Sequence, residues 1–263
     1  MIRSDFHVHT MYCDGASSPS EMVKTAIDRG MDAVGFSSHA YTSFDKRYSI
    51  KPEEIPKYKA EIAALRKTYA DKIRIYCGIE QDLYSDLPAE GYDYVIGSVH
   101  YLKRNGVYIS VDHSPERFEE AVKTHFGSDY LAFAEAYFEE AARVCEEIHP
   151  TFIGHFDLVS KFNEGGKYFD DSHPRYEKAW RAALSTLLSY NIPFEVNTGA
   201  ISRGYRTSPY PSHAQLLEIK KAGGRVLLSG DAHAPNTLCF EFPKWEAYLR
   251  EMGMELIKAE DLL

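Results

Sequence analysis

Two histidines flank a single valine near the start of the sequence, in His7-Val8-His9, with Asp14 close behind; near the other end stands Asp231-Ala232-His233. Residues i and i+2 of an extended strand share a face, so His7 and His9 present their imidazoles to the same side. Between these groups come His39, Glu80, His100 and His155. Imidazole nitrogens and carboxylate oxygens together suit zinc, manganese or iron, and residue types alone do not choose among them. Clustered divalent cations acidify bound water toward neutral pH, so the expected chemistry is metal-assisted hydrolysis.

The elements that must position these residues alternate between strand and helix. Strands are expected at Ile2–His7, Ala33–Ser37, Ile73–Ile79, Tyr94–Val99, Phe152–Gly154, Pro193–Val196 and Arg225–Ser229. The first helix is punctuated by Ser18 as N-cap, Pro19 at the first helical position and Gly30 as its stop. Further helices are expected over Pro52–Tyr69, Pro115–His125, Tyr130–Ile148, Pro174–Tyr190, Ser212–Ala222 and Pro243–Met252. Repeated βα units with apolar strands predict a parallel sheet covered by helices, and seven units in this length favour a closed or nearly closed barrel. The fold class is therefore α/β, in a single domain over residues 1–263.

His7, His9, His39, Glu80, His100, His155, Asp231 and His233 fall at or just past the C-terminal ends of expected strands, where barrels of this kind carry their active sites. Six of the 11 histidines share that rim. A lone strand-end histidine is ordinarily a hydrogen-bonded loop residue, and a lone Glu80 a solvated charge. The joint pattern is what argues for a site. His113, His125, His149, His173 and His213 fall away from the rim and read as structural or surface residues.

Composition narrows the function classes. With 44% hydrophobic and 26% charged residues the chain reads as an ordinary globular protein. Its formal net charge of −9 argues against nucleic-acid binding, which calls for a basic footprint. No apolar run is long enough to span a bilayer and no leader precedes the first motif, so the expected location is the cytoplasm, without a membrane partner. Cys13, Cys77, Cys145 and Cys239 form no CxxC pair and are expected to be free thiols.

His7-Val8-His9 with Asp14, Ser38-His39, Gly78-Ile79-Glu80, Gly97-Ser98-Val99-His100, Gly154-His155-Phe156-Asp157 and Asp231-Ala232-His233, in that order, resemble the PHP (polymerase and histidinol phosphatase) family across essentially the whole chain. The spacing is similar to its stand-alone histidinol-phosphate phosphatase branch. That resemblance implies a distorted (β/α)7 TIM-like barrel and a trinuclear cluster of divalent metal ions (Zn, Mn or Fe). It implies His7, His9, Glu80 and Asp231 at one ion. Glu80 would bridge to a second ion held with His100 and His155, and Asp14, His39 and His233 would hold a third. Apart from the resemblance, the leaving alcohol needs a proton; Asp231 is the expected carrier and, with Glu80, is taken as catalytic. The implied reaction is hydrolysis of L-histidinol phosphate in histidine biosynthesis.

A phosphatase also needs donors for the non-reacting phosphate oxygens. Arg203, in the loop after the sixth strand, is the first choice for a bidentate clamp, followed by Lys161 and then Arg206. Three other readings compete. A nuclease or protein-tyrosine phosphatase of the same family differs in substrate, and the nuclease lacks a Lys/Arg stripe. An amidohydrolase barrel also opens with HxH, but the positions of Glu80 and Asp14 and the arginine-bearing loop favour phosphoryl chemistry. A non-catalytic, metal-dependent sensor of phosphorylated ligands would have no need for every donor position to be filled.

Overall fold

The structure, a computed structural model, describes residues 1–263. Its strands are β1 (Ser4–Val8), β2 (Ala33–His39), β3 (Arg74–Asp82), β4 (Tyr94–Ser98), β5 (Tyr101–Arg104), β6 (Val107–Ser110), β7 (Phe152–Ile153), β8 (Phe194–Asn197), β9 (Arg225–Ser229) and β10 (Glu255–Leu256). Eight of them form one sheet in the order β1-β2-β3-β4-β7-β8-β9-β10, every pair parallel. β10 pairs with the start of β9. Past the other end of β9, Ala232 bridges to Val8, with His9 N–H on Ala232 O at 2.9 Å and Ala232 N–H on His7 O at 2.8 Å. The sheet thus curls into a distorted (β/α)7 barrel that closes at the C-terminal ends of its strands, with β10 as a short extra edge at the opposite end.

Nine helices surround it: α1 (Pro19–Asp28), α2 (Ile55–Thr68), α3 (Pro115–Phe126), α4 (Tyr130–Ala141), α5 (Val144–Ile148), α6 (Pro174–Leu188), α7 (Gly199–Ser202), α8 (His213–Lys221) and α9 (Phe242–Glu251). α1 starts as its sequence dictates. Ser18 and Glu21 form a reciprocal capping box with Pro19 behind the cap, and Gly30 leaves the helix at φ +66°. The one helix expected over Tyr130–Ile148 is two, because Arg143 N–H closes a tight turn onto Glu140 O. The apolar spacing runs on across that break, so periodicity gave no sign of it. The β5–β6 hairpin, absent from the sequence reading, turns on Asn105-Gly106, both at positive φ.

The barrel interior beneath the site is filled by Phe6, Tyr94, Ile96, Phe152 and Leu227. The Tyr94 hydroxyl donates toward Phe6 O (2.8 Å) and Phe36 O (3.0 Å), tying β4 to β1 and β2. Flanking this plug are two larger apolar layers, one under α1 and α2, the other under α3, α4, α6, α8 and α9. No helix is long and apolar enough to cross a membrane. All four cysteines are free.

Candidate metal centre

The closure of the barrel assembles the site. The Val8–Ala232 bridge sets the HxH pair beside the Asp231–His233 segment. Asp231 has φ +47°, a left-handed conformation that aspartate tolerates better than most residues, and it kinks the chain just past β9. In the sheet, His39 at the end of β2 stands opposite Glu80 of β3.

Glu80 is the hub. Its fully buried carboxylate lies 3.1 Å from His7 Nε2, 3.5 Å from His9 Nε2 and 2.9 Å from His39 Nδ1 through Oε2. Through Oε1 it lies 3.3 Å from His100 Nε2 and 2.9 Å from His155 Nε2. Asp231 Oδ1 sits 3.2 Å from His9 Nε2 and 3.7 Å from His7 Nε2. Asp14 is 3.3 Å from His233 Nε2 and 3.7 Å from His39 Nε2. All nine expected donors therefore converge, in four overlapping groups: His9/Asp14/His39/His233, His7/Glu80/His155, His7/His9/Asp231 and His39/Glu80/His100. His39 belongs to two of them, so it faces Glu80 as well as Asp14.

The residues fit divalent metal ions by a direct observation. His7 Nε2, His9 Nε2 and Glu80 Oε2 are buried and close together, yet none has a hydrogen-bond partner. Their separations bring them near without the alignment a hydrogen bond needs. Buried polar atoms left this way are costly, and a shared cation between them removes the cost. The electrostatics agree. Burial works against a charged Glu80, but His7, His39 and His100 outweigh it and hold the carboxyl well below its ordinary range. Asp231 is likewise buried and held low by Arg203 and His7. Burial, with His233 and His39 nearby, pulls His9 down to about 3, leaving a neutral imidazole free to donate a lone pair.

Carboxylates that sequence reasoning overlooked stand behind the imidazoles. Glu195 of β8, fully buried, meets His7 Nδ1 at 2.5 Å, receives His155 N–H at 2.7 Å and accepts from Ser229 Oγ. Asp82 accepts His100 N–H at 2.6 Å and faces His100 Nδ1 at 3.3 Å. Such partners fix the tautomer and orientation of a ligating imidazole. Asp5 receives Gly230 N–H and Cys239 N–H, each at 2.9 Å, and so anchors the segment that carries Asp231. Two signals were available: Glu195 is a lone acid in the apolar run Phe194–Val196, and Asp82 lies two residues beyond Glu80, on the same strand face.

The three expected phosphate donors separate. Arg203 follows α7, and its guanidinium grips Asp231 at both the backbone oxygen and Oδ2, 2.9 Å each, beside His233. Lys161 lines a cavity of 300 Å³ whose lining includes Asp14, His39 and His100. Arg206 lies apart from the cluster. It lies over the Tyr210 ring, contacts Ser160 and Ser208, sits 3.7 Å from Asp157 and faces a different cavity. Asp157 and Tyr210 attract it away from the cluster. His113, expected to lie away from the rim, instead lines the Lys161 cavity.

Comparison with known proteins places this geometry. The profile of the PHP domain matches residues 5–199. A Schizosaccharomyces pombe protein named "Probable histidinol-phosphatase" is 28% identical over 94% of this chain and 86% of its own. The histidinol-phosphatase of Bacillus subtilis is 24% identical over 95% of this chain and 99% of its own. A crystal structure of histidinol phosphate phosphatase from Lactococcus lactis, complexed with zinc, L-histidinol and phosphate, superposes with a TM-score of 0.73. It is 22% identical and covers 97% of this chain and 95% of that one, a likeness of fold. Family profile, full-length relatives and barrel agree: the chain belongs to the PHP domain family.

Proposed function

We propose that this chain is a metal-dependent phosphomonoesterase that hydrolyses L-histidinol phosphate to L-histidinol and inorganic phosphate, as a histidinol-phosphatase of histidine biosynthesis. One observation carries the chemistry: nine His, Glu and Asp donors, the buried Glu80 among them, converge beside the cations Arg203 and Lys161. The substrate follows from the full-length relatives that bear the histidinol-phosphatase name.

In this reading three divalent ions are held by the sets His7/His9/Glu80/Asp231, Glu80/His100/His155 and Asp14/His39/His233. When bound, such a cluster supplies an acidified water and compensates charge on the phosphoryl oxygens. The remaining work falls to the chain's own residues. Glu195 and Asp82 aim His7 and His100. Arg203 and Lys161 hold the non-reacting phosphate oxygens, and Arg203 also keeps Asp231 ionised. Asp231 would accept the proton that the attacking water gives up and pass it to the departing alkoxide. Arg206, turned onto Asp157 and Tyr210, organises the loop after β8. Residues 1–263 act as one barrel domain, and the four free thiols suit a reducing cytoplasm.

The test is steady-state turnover of L-histidinol phosphate by the metal-reconstituted protein, against a panel of other phosphomonoesters. A clear kcat/KM preference for L-histidinol phosphate is expected. Faster turnover of phosphotyrosyl peptide or of nucleic acid would replace the substrate and keep the chemistry. A Glu80→Ala variant that stays folded separates an enzyme from a sensor: phosphatase activity disappears in the first case, and there is none to lose in the second.

A further inference from the structure

The cavity next to the centre is wide enough for a small phosphomonoester, at 300 Å³, and its lining places a carboxylate beside a cation. Lys161 Nζ donates to Asp112 twice, to the backbone oxygen and to Oδ2, each at 2.8 Å. No protein donor reaches Asp112 Oδ1 in the hydrogen-bond network, and the side chain retains 23% exposure. Since Asp112 lines the same cavity as Asp14, His39, His100 and Lys161, that exposure opens toward the site. Tyr48 and Tyr101 stand across it, their rings stacked at 6.0 Å between centroids.

Lys161 therefore has a double role. One side of its ammonium is committed to Asp112; the other is open to a phosphate in the cavity. A substrate whose phosphate reaches Lys161 brings its neighbouring carbons within reach of Asp112. L-Histidinol phosphate carries an ammonium on the carbon next to its CH2–O–P group. That positive charge arrives in a space already occupied by Lys161 and bordered by metal-binding residues. Without a facing carboxylate it would be repelled. The lining holds three carboxylates: Asp14 belongs to the metal-binding set, Asp45 is taken up by Arg47 and Tyr101, and Asp112 keeps an oxygen unused.

Resting on the phosphatase reading above, we infer that Asp112 reads the ammonium of the substrate through Oδ1, while its Oδ2 holds Lys161 for the phosphate, making the pocket selective for aminoalkyl phosphates over their neutral counterparts. The two halves of this double role are separable by experiment, because only the first depends on the amine.

The experiment compares L-histidinol phosphate with its des-amino analogue, imidazolylpropyl phosphate, on the metal-loaded wild-type, Asp112→Asn and Asp112→Glu proteins. Calorimetric binding of L-histidinol and imidazolylpropanol, which carry no phosphate, is measured alongside. Wild type is expected to favour the aminated ester. In Asp112→Asn that kcat/KM ratio should fall about ten- to a hundredfold, the span of one charge-assisted hydrogen bond. L-Histidinol should bind correspondingly more weakly, and imidazolylpropanol no differently from wild type. Asp112→Glu, which keeps the carboxylate, should restore part of the ratio. Equal losses on both esters would assign Asp112 to positioning Lys161 alone and overturn the inference, as would an unchanged ratio. A wild type with high activity on both esters and no preference would also overturn it, with the phosphatase chemistry standing. A wild type inactive on both but active on another phosphomonoester would refute the substrate assignment itself, and the inference with it.

Discussion

Replacing Glu195 by glutamine tests whether the buried carboxylate behind His7 sets the metal affinity of the centre. The substitution keeps shape and volume and removes a charge. In the native protein, one carboxylate oxygen faces His7 Nδ1 at 2.5 Å and the other receives the His155 N–H at 2.7 Å. Glutamine offers one oxygen and one NH2 to these two positions. If the oxygen stays on His7, the NH2 points at the His155 N–H and leaves a buried donor unsatisfied, at a cost of about 1–3 kcal/mol of stability. If the amide turns over, its NH2 faces His7 Nδ1, the imidazole proton moves to Nε2, and the nitrogen facing Glu80 and Asp231 loses its lone pair. Either outcome weakens the site. Removing the partner of a ligating histidine typically costs ten- to a hundredfold in metal affinity, or about 1.4–2.7 kcal/mol. Zinc affinity is read by competition with a chelating dye and elemental analysis, stability of the metal-free protein by urea unfolding. A Glu195→Gln protein that binds zinc as wild type does, with undiminished stability, would refute the reasoning.

Two further predictions concern the scaffold. A methyl group placed on Gly78 of β3 would run into the Tyr94 ring, whose hydroxyl ties β1 and β2 to β4. Gly78→Ala should therefore cost about 1–3 kcal/mol in urea unfolding, the usual range for overpacking; an unchanged midpoint would mean the ring yields freely. In α9, Glu246 accepts from Ile2 N–H at 2.6 Å and from Arg250 Nη2 at 2.9 Å. Burial raises its pKa, but the Ile2 N–H, Arg250 and the N-terminal ammonium outweigh it and hold the carboxyl below its ordinary 4.5. A depressed folded pKa contributes stability that is present above the unfolded value and fades as pH falls through the folded one. Wild type should thus exceed Glu246→Gln by about 1–2 kcal/mol at pH 7. The gap should narrow below pH 4.5. A gap independent of pH would show that the ionised carboxylate is not its source.

Much of the site was legible because metal ligation restricts residue type so severely. Histidine and carboxylate at the ends of successive strands announce themselves, and the parallel βα alternation says that those ends share a rim. The groups that escaped notice are those whose residue types have many ordinary uses. Glu195, Asp82 and Asp5 act only by standing behind another side chain, and nothing local distinguishes such an acid from a solvated one until its neighbour is known. Arg203 and Arg206 make the same point. They lie three residues apart on one loop and are of one residue type. The short α7 turn delivers Arg203 to Asp231, while Asp157 and Tyr210 draw Arg206 into another cavity.

Local rules written in the chain were enough for the caps of α1 and the seven barrel strands in their order, and residue type at the strand ends, with the PHP resemblance, singled out the nine converging donors. Periodicity and propensity act over a few residues, and these features are local. Tertiary structure alone decided the closure through Val8 and Ala232, the Glu80 hub, the carboxylates that aim the imidazoles, and the facing of Lys161 onto Asp112. These are contacts between residues far apart in the chain. Their distances follow from how the sheet curls and which helices cover it, and no window of sequence contains that information.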